Sequence, residues 1–184
     1  MHIAYPAIDF DVVIPNHDEG LFIAQALALG YKKIVFLTTD TNYVKPLTTK
    51  LVVKTAYLLK DASELSPAKK RFDYVFAVAQ RKYFELKIDF IIDVESSDRK
   101  DSFHYKATSL NQVHAELVKK NDLTLVFNFS ALLASPVSIK GKMSQNASLI
   151  KKYKLNYVTF SLATTPNMMR SRNILNSLEL VLGL

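Results

Sequence analysis

Seven short apolar runs, set apart by segments of helical periodicity, constrain this chain more than any other feature. The runs are Asp11–Pro15, Lys33–Thr38, Leu51–Leu59, Tyr74–Val78, Phe90–Val94, Leu123–Phe129 and Tyr157–Leu162. Most are continuously apolar and rich in Val, Ile and Phe, as strands covered on both faces must be. Lys54 and Thr55 interrupt the third run, which predicts a place nearer the edge of the sheet.

Helical patterns fall between several of these runs. Asn16 and Glu19 have the spacing of a capping box ahead of Leu21, Ala24, Leu27 and Ala28, and Gly30 supplies a C-terminal stop. Ser109 and Gln112 repeat that spacing before Val113, Leu117 and Val118, with Lys119 and Lys120 well placed at the negative end of the helix. Met143, Ala147, Ile150 and Lys154 mark a third helix. Thr165 and Pro166 open the last, whose apolar stripe is Ile174, Leu178, Val181 and Leu182. Between residues 40 and 87 the helical signal is weak, and Ser63–Lys70 and Gln80–Leu86 read as loops or single turns.

Strands alternating with helices predict an α/β fold with right-handed crossovers over one domain, residues 1–184. The preferred arrangement is TIM-barrel-like, with about seven mostly parallel strands and outer helices; an open doubly wound sheet is the alternative. The chain has four glycines, Gly20, Gly30, Gly141 and Gly183, too dispersed for a dinucleotide fingerprint or a P-loop. With 184 residues, 49% of them hydrophobic, one sizeable core is expected.

Composition narrows the chemistry. Cys is absent, which excludes disulfides, thiolate metal sites and Cys nucleophiles. The first residues, MHIAYPAIDFDVVIPN, do not read as a signal peptide, and the apolar runs are shorter than the ~20 residues a membrane helix needs. The expectation is a soluble intracellular protein without membrane contact. The four histidines, His2, His17, His104 and His114, form neither HxH nor HExxH. Asp40, Asp61 and Glu95 follow strands, as His17 does, but that is a poor nitrogen set for a metallophosphoesterase. Ser130 and Ser161 also follow strands, with no GxSxG elbow around them. Asp98 and Asp101 flank Arg99 and Lys100, so local ion pairing and capping explain them more simply than acid–base catalysis. No catalytic residue and no metal ligand is assigned.

The charge is uneven. Residues 1–95 hold 12 Lys/Arg and 12 Asp/Glu, whereas residues 96–184 hold 12 and 5, so the second part carries the whole excess of +7. A basic excess of this kind attracts phosphate backbones. Its clusters are Arg99 and Lys100 after the fifth strand, Lys119 and Lys120 ending one helix, Lys151, Lys152 and Lys154 ending the next, and Arg170 and Arg172 early in the last.

Within that part, Arg99-Lys100-Asp101-Ser102, Ser109-Leu110-Asn111-Gln112-Val113, Lys119-Lys120-Asn121 and Phe129-Ser130-Ala131-Leu132-Leu133 follow one another. Phe160-Ser161-Leu162-Ala163, Met169-Arg170-Ser171 and Leu182-Gly183-Leu184 come later, and Glu19-Gly20 with Ala28-Leu29-Gly30-Tyr31 agree more loosely. This series resembles the barrel-shaped, thirty-kilodalton-class protein subunit of archaeal and eukaryotic ribonuclease P, from about residue 11 onward. Residues 40–87 match by layout alone.

The resemblance implies a TIM-barrel-like protein in the ribonucleoprotein endoribonuclease that removes the 5′ leader of precursor tRNA. There the RNA performs the hydrolysis with Mg²⁺, and the chain itself binds no cofactor and is not catalytic. The implied partners are ribonuclease P RNA, a small ferredoxin-like protein subunit and, indirectly, precursor tRNA. The motifs make Arg99 and Lys100 the first RNA contacts, followed by Lys119, Lys120 and Arg170; Lys151 and Lys152 join them as a basic helix end. Arg172 and Ile174 depart from the family's Pro and Asp. Two other classes stay open on the residues alone: a metal-dependent phosphoesterase on a related barrel, and a protein–protein scaffold that touches no RNA.

Overall fold

In the computed structural model, which describes residues 8–96 and 106–184, seven strands form one parallel sheet in the order β1 to β7. They are β1 (Phe10–Val13), β2 (Lys33–Thr38), β3 (Val52–Leu58), β4 (Tyr74–Val78), β5 (Phe90–Ile92), β6 (Thr124–Asn128) and β7 (Asn156–Phe160). All seven apolar runs are strands. The sheet curls into a nearly closed barrel: Val13 and Ala163 form a parallel bridge, and the Ile14 N–H donates to the Ala163 carbonyl at 2.8 Å. The helices α1 (Glu19–Ala28), α2 (Leu65–Arg71), α3 (Arg81–Phe84), α4 (Gln112–Lys120), α5 (Phe129–Ala134), α6 (Pro136–Tyr153) and α7 (Arg172–Val181) surround it. The α/β, TIM-barrel-like reading therefore holds over the doubly wound alternative.

Alternation along the strands sorts their side chains. Val12, Val35, Leu37, Ala56, Phe76, Ile92, Val126 and Val158 point into the barrel, whose strand-start end is filled by rings. Phe10 stacks on Tyr74 and Phe160 with centroids 5.6 and 5.4 Å apart, and Phe76 stacks on Phe90 at 4.7 Å. The barrel is a packed core rather than a pore, as in eight-stranded TIM barrels. The other face of each strand packs beneath the helices.

Several expectations need correction. β3 lies between β2 and β4, not at an edge. Lys54 is tolerated there because it pairs with Asp73, which also accepts the Thr55 N–H at 2.9 Å. The N-cap of α1 is Asp18 rather than Asn16, and His17 precedes it in the left-handed region at φ 61°. Asn111, not Ser109, caps α4 by accepting the His114 N–H; the Ser109 hydroxyl is drawn instead to the Ser96 carbonyl. Thr165 and Pro166 open one 3₁₀ turn only. Met169 then buries in extended backbone, so the last helix starts after Ser171. The segment 63–70 is more than a turn: Asp61 and Glu64 form a true capping box, and α2 follows it.

Candidate nucleic-acid interface

In a parallel barrel each helix returns the chain from a strand end to the next strand start. A helix C-terminus therefore sits at the rim where strands begin. α4 ends at Lys120 with β6 starting at Thr124, and α6 ends at Tyr153 with β7 starting at Asn156. Lys119, Lys120, Lys151 and Lys152 accordingly share the strand-start rim, on neighbouring helices that pack together. All four are exposed, and among the described residues none has a carboxylate partner. Each pair also complements the partial negative charge of its own helix end. Lys154 continues the second pair, in the left-handed cap position at φ 56°.

Arg170 lies at the opposite mouth, between β7 and α7. Its guanidinium donates to the Asn167 and Met169 carbonyls at 2.8 and 2.7 Å, so much of its donor capacity is spent inside the fold. Arg99 and Lys100, with Asp98, Asp101 and His104, lie outside the described residues. The structure thus brings Lys119, Lys120, Lys151 and Lys152 together and sets Arg170 apart from them.

Arg172 serves the barrel seam. β7 has little ladder to β1, so its outer backbone groups need other partners. The Arg172 guanidinium donates to the Thr159 carbonyl at 2.9 Å and pairs with Glu179 at 3.2 Å. Glu179 accepts the Thr159 N–H at 2.9 Å. Deeper in the seam, Asp11 accepts the Ser161 N–H at 2.8 Å. Burial pushes the Asp11 carboxyl up to about 6, against the opposing effect of its bonds from Ser161 and Val12 and of the Arg172 charge.

The strand-end mouth is the customary place for barrel catalysis. Here it carries Asp18, Asp40, Asp61, Asp93 and Glu95. Among the described residues no three His, Cys, Asp or Glu are grouped to hold a metal ion. Glu95 is buried, and that burial, helped by the Asp93 charge, pushes its carboxyl up to about 8 while Asn146 and Lys142 oppose the rise. His114 is packing: its ring stacks on Phe84 with centroids 4.4 Å apart, and Nδ1 lies 2.6 Å from the Ser109 carbonyl. Ser130 and Ser161 are buried at the β6 and β7 ends, where the Ser130 N–H donates to the Ser161 carbonyl at 3.0 Å.

Sequence reading passed over one basic turn. α2 ends in Lys69, Lys70 and Arg71, all exposed, at the same strand-start rim. They were hidden by charge balance in the first half of the chain, although three consecutive cations just before a strand were a visible signal.

No protein-family model matches the sequence, and no curated protein matches it. Solved structures do. One chain of the cryo-EM structure of archaeal ribonuclease P with mature tRNA aligns at a TM-score of 0.73 and 18% identity, over 93% of this chain and 82% of that one. A crystal structure of an uncharacterized protein aligns over 82% of this chain and 39% of the other, at 13% identity and a TM-score of only 0.39. The present chain shares the fold of the archaeal ribonuclease P component.

Proposed function

We propose that this chain is a protein subunit of ribonuclease P, which binds and stabilises the RNA of the complex rather than performing the chemistry. The observation that carries the reading is the fold shared with a component of archaeal ribonuclease P along 93% of the chain. The motif resemblance in the second half of the sequence points the same way, as does the exposed lysine group at the ends of α4 and α6.

The physical logic is electrostatic. A folded RNA crowds phosphates, and its active form is limited by their repulsion. Lysines fixed on a rigid barrel offset that repulsion by displacing condensed counterions. Such contacts read backbone and shape rather than base identity. Lys119, Lys120, Lys151 and Lys152 fill this role, with Arg99 and Lys100 assigned to it by their motif and Arg170 as a secondary contact. Mg²⁺ belongs to the RNA-catalysed hydrolysis of precursor tRNA, and a small ferredoxin-like subunit completes the protein side.

Reconstitution tests this reading. Added to an archaeal ribonuclease P RNA, with the other protein subunits present, the chain should lower the Mg²⁺ concentration needed to cleave precursor tRNA. Alanine at both Arg99 and Lys100 should raise that requirement several-fold while the circular dichroism spectrum stays unchanged. Phosphoester hydrolysis by the purified chain alone with Mn²⁺ or Zn²⁺ would reject the reading in favour of a metallophosphoesterase. Failure to bind any RNA would leave a protein scaffold.

A further inference from the structure

The two ends of the barrel differ in what their charges are free to do. Among the described residues, two of the four aspartates nearest the strand-start rim are paired with lysines, and the other two accept from neutral donors. Asp9 accepts from Lys33 at 2.9 Å, and Asp73 is held by Lys54 and by the Thr55 N–H. Asp89 accepts the Val75 N–H at 2.8 Å, and Asp122 accepts from the Asn156 amide at 2.8 Å. The basic ends of three helices stand on the same rim without carboxylate partners among the described residues. α2 ends at Arg71, three residues before β4; α4 and α6 end just before β6 and β7.

At the opposite mouth an aspartate follows or closely trails the ends of β1, β2, β3 and β5, as Asp18, Asp40, Asp61 and Asp93. Hydrogen bonds engage these aspartates too, but among the described residues only Asp61 of the four is paired with a cation. Of the cations that stand there, Lys82 pairs with Asp61 at 3.7 Å and Arg81 faces Glu85 at 3.9 Å, while Lys60, Lys142 and Arg170 have no carboxylate partner among the described residues. A phosphate chain approaching the mouth meets carboxylates mixed with scattered cations, whereas one approaching the rim meets the clustered ammonium and guanidinium groups of three helix ends. The helix ends themselves are negative, but only by about half an elementary charge each, which the flanking cations exceed.

We propose that RNA lies across the strand-start end of the barrel, and that Lys69, Lys70 and Arg71 of α2 form the far end of a phosphate track that begins at α6 and passes α4. Between α2 and α4 the chain forms only the short α3, four residues long. The track therefore reaches into the half of the chain whose net charge is zero, because the acids that cancel its cations sit at the other end or are used inside the fold. This inference rests on the RNA-binding reading above and adds its orientation: the α4 and α6 lysines are the main contacts, and Arg99, Lys100 and Arg170, which follow strand ends in the chain, lie off the track.

Salt titration of binding tests it. The probe is an in vitro transcribed archaeal ribonuclease P RNA, and the protein is the full chain. Three forms are compared: wild type; Lys69→Ala, Lys70→Ala, Arg71→Ala; and a mouth control, Lys60→Ala, Arg81→Ala, Lys82→Ala. Each lost phosphate contact lowers the slope of log Kd against log salt by roughly 0.7 to 0.9. The rim triple variant should lose about 2 in slope and bind at least tenfold more weakly at 0.15 M salt, with an unchanged melting temperature. The mouth control should match wild type. Wild-type slope and affinity in the rim variant, or a loss confined to the mouth control, would overturn the orientation and leave RNA binding itself standing. Absence of RNA binding by the wild type would overturn both.

Discussion

The resemblance noted in the sequence implies Pro at the position of Arg172, and the structure gives this Arg a task of its own. Proline could not donate to the Thr159 carbonyl, and Thr159 has no strand partner on that side. Arg172 and Glu179 together satisfy the carbonyl and the N–H of one buried residue. Removing one partner strands the other groups in a poorly solvated seam. Arg172→Ala should therefore cost about 2 kcal/mol in denaturant unfolding, whereas Ile174→Ala, at a half-exposed position on the same helix, should cost well under half of that. Equal effects would show that the seam contacts contribute little. Glu95 supplies a second test at this scale. Its carboxyl is raised to about 8 by burial, so the native state holds a proton that the unfolded chain releases near its ordinary value of 4.5. Stability is thus lost as pH rises from about 4.5 to about 8, and Asp11 adds loss in the same direction between 3.8 and about 6. Glu95→Gln should remove most of the upper slope and stabilise the protein by roughly 2–4 kcal/mol at pH 8. Unfolding curves for Glu95→Gln that keep the wild-type pH slope between 6 and 8 would refute the assignment. Neither network was legible in the sequence, because burial of Asp11 and Glu95 is decided by what packs over them.

At the scale of elements, the strands were legible because burial on both faces forces continuous apolar runs, which few other structures require. β3 shows the limit of that rule. Lys54 looked like an edge signal, but a partner nineteen residues later in the chain, Asp73, supplies its countercharge. Helix starts were less legible, since Ser, Asn and Asp compete within a few residues and the winner depends on the incoming chain direction. At α4, Asn111 caps while Ser109 turns back toward Ser96. The helix stop at Gly30 was legible, and it is testable. Gly30 has φ of 81°, a backbone position costly for any residue with a Cβ, while Gly20 lies inside α1 with open space where a Cβ would go. Gly30→Ala should destabilise by about 1–2 kcal/mol, and Gly20→Ala should stabilise by up to ~1 kcal/mol, in thermal or urea unfolding. Destabilisation by both would mean that α1 is held by packing its start rather than by its stop. The lysines at the ends of α4 and α6 belong to this scale too. Their positions were plain in the sequence, but their shared rim follows only once the strands are known to be parallel and consecutive. Arg170 shows the converse, a cation grouped with them by sequence but set at the other end of the barrel by topology.

For the molecule as a whole, the weakest joint is the gap between β1 and β7. β2 and β3 pair through six registered positions, from Lys33 with Val52 to Thr38 with Tyr57. The β1 and β7 edges meet at the Val13–Ala163 bridge, reached by bending the backbone through Leu162 at φ 45°, a conformation that costs a leucine about 1–2 kcal/mol. Below the bridge, the Asp11 carboxylate bonded to the Ser161 N–H takes the place of a ladder rung. A barrel held shut by one bridge and a few side chains should open there before it unfolds elsewhere. Native-state hydrogen exchange should find the Thr159, Ser161 and Ile14 amides released in a subglobal opening of lower free energy than that of Val35 and Phe36 in β2. Asp11→Ala should accelerate the Ser161 amide by tenfold or more, equivalent to about 1.4 kcal/mol or more of lost local stability, beyond any change at β2. Asp11→Asn keeps an acceptor oxygen and should restore most of the protection. If the alanine variant instead raises exchange uniformly across all seven strands, the barrel opens as one unit and the seam has no stability of its own to lose.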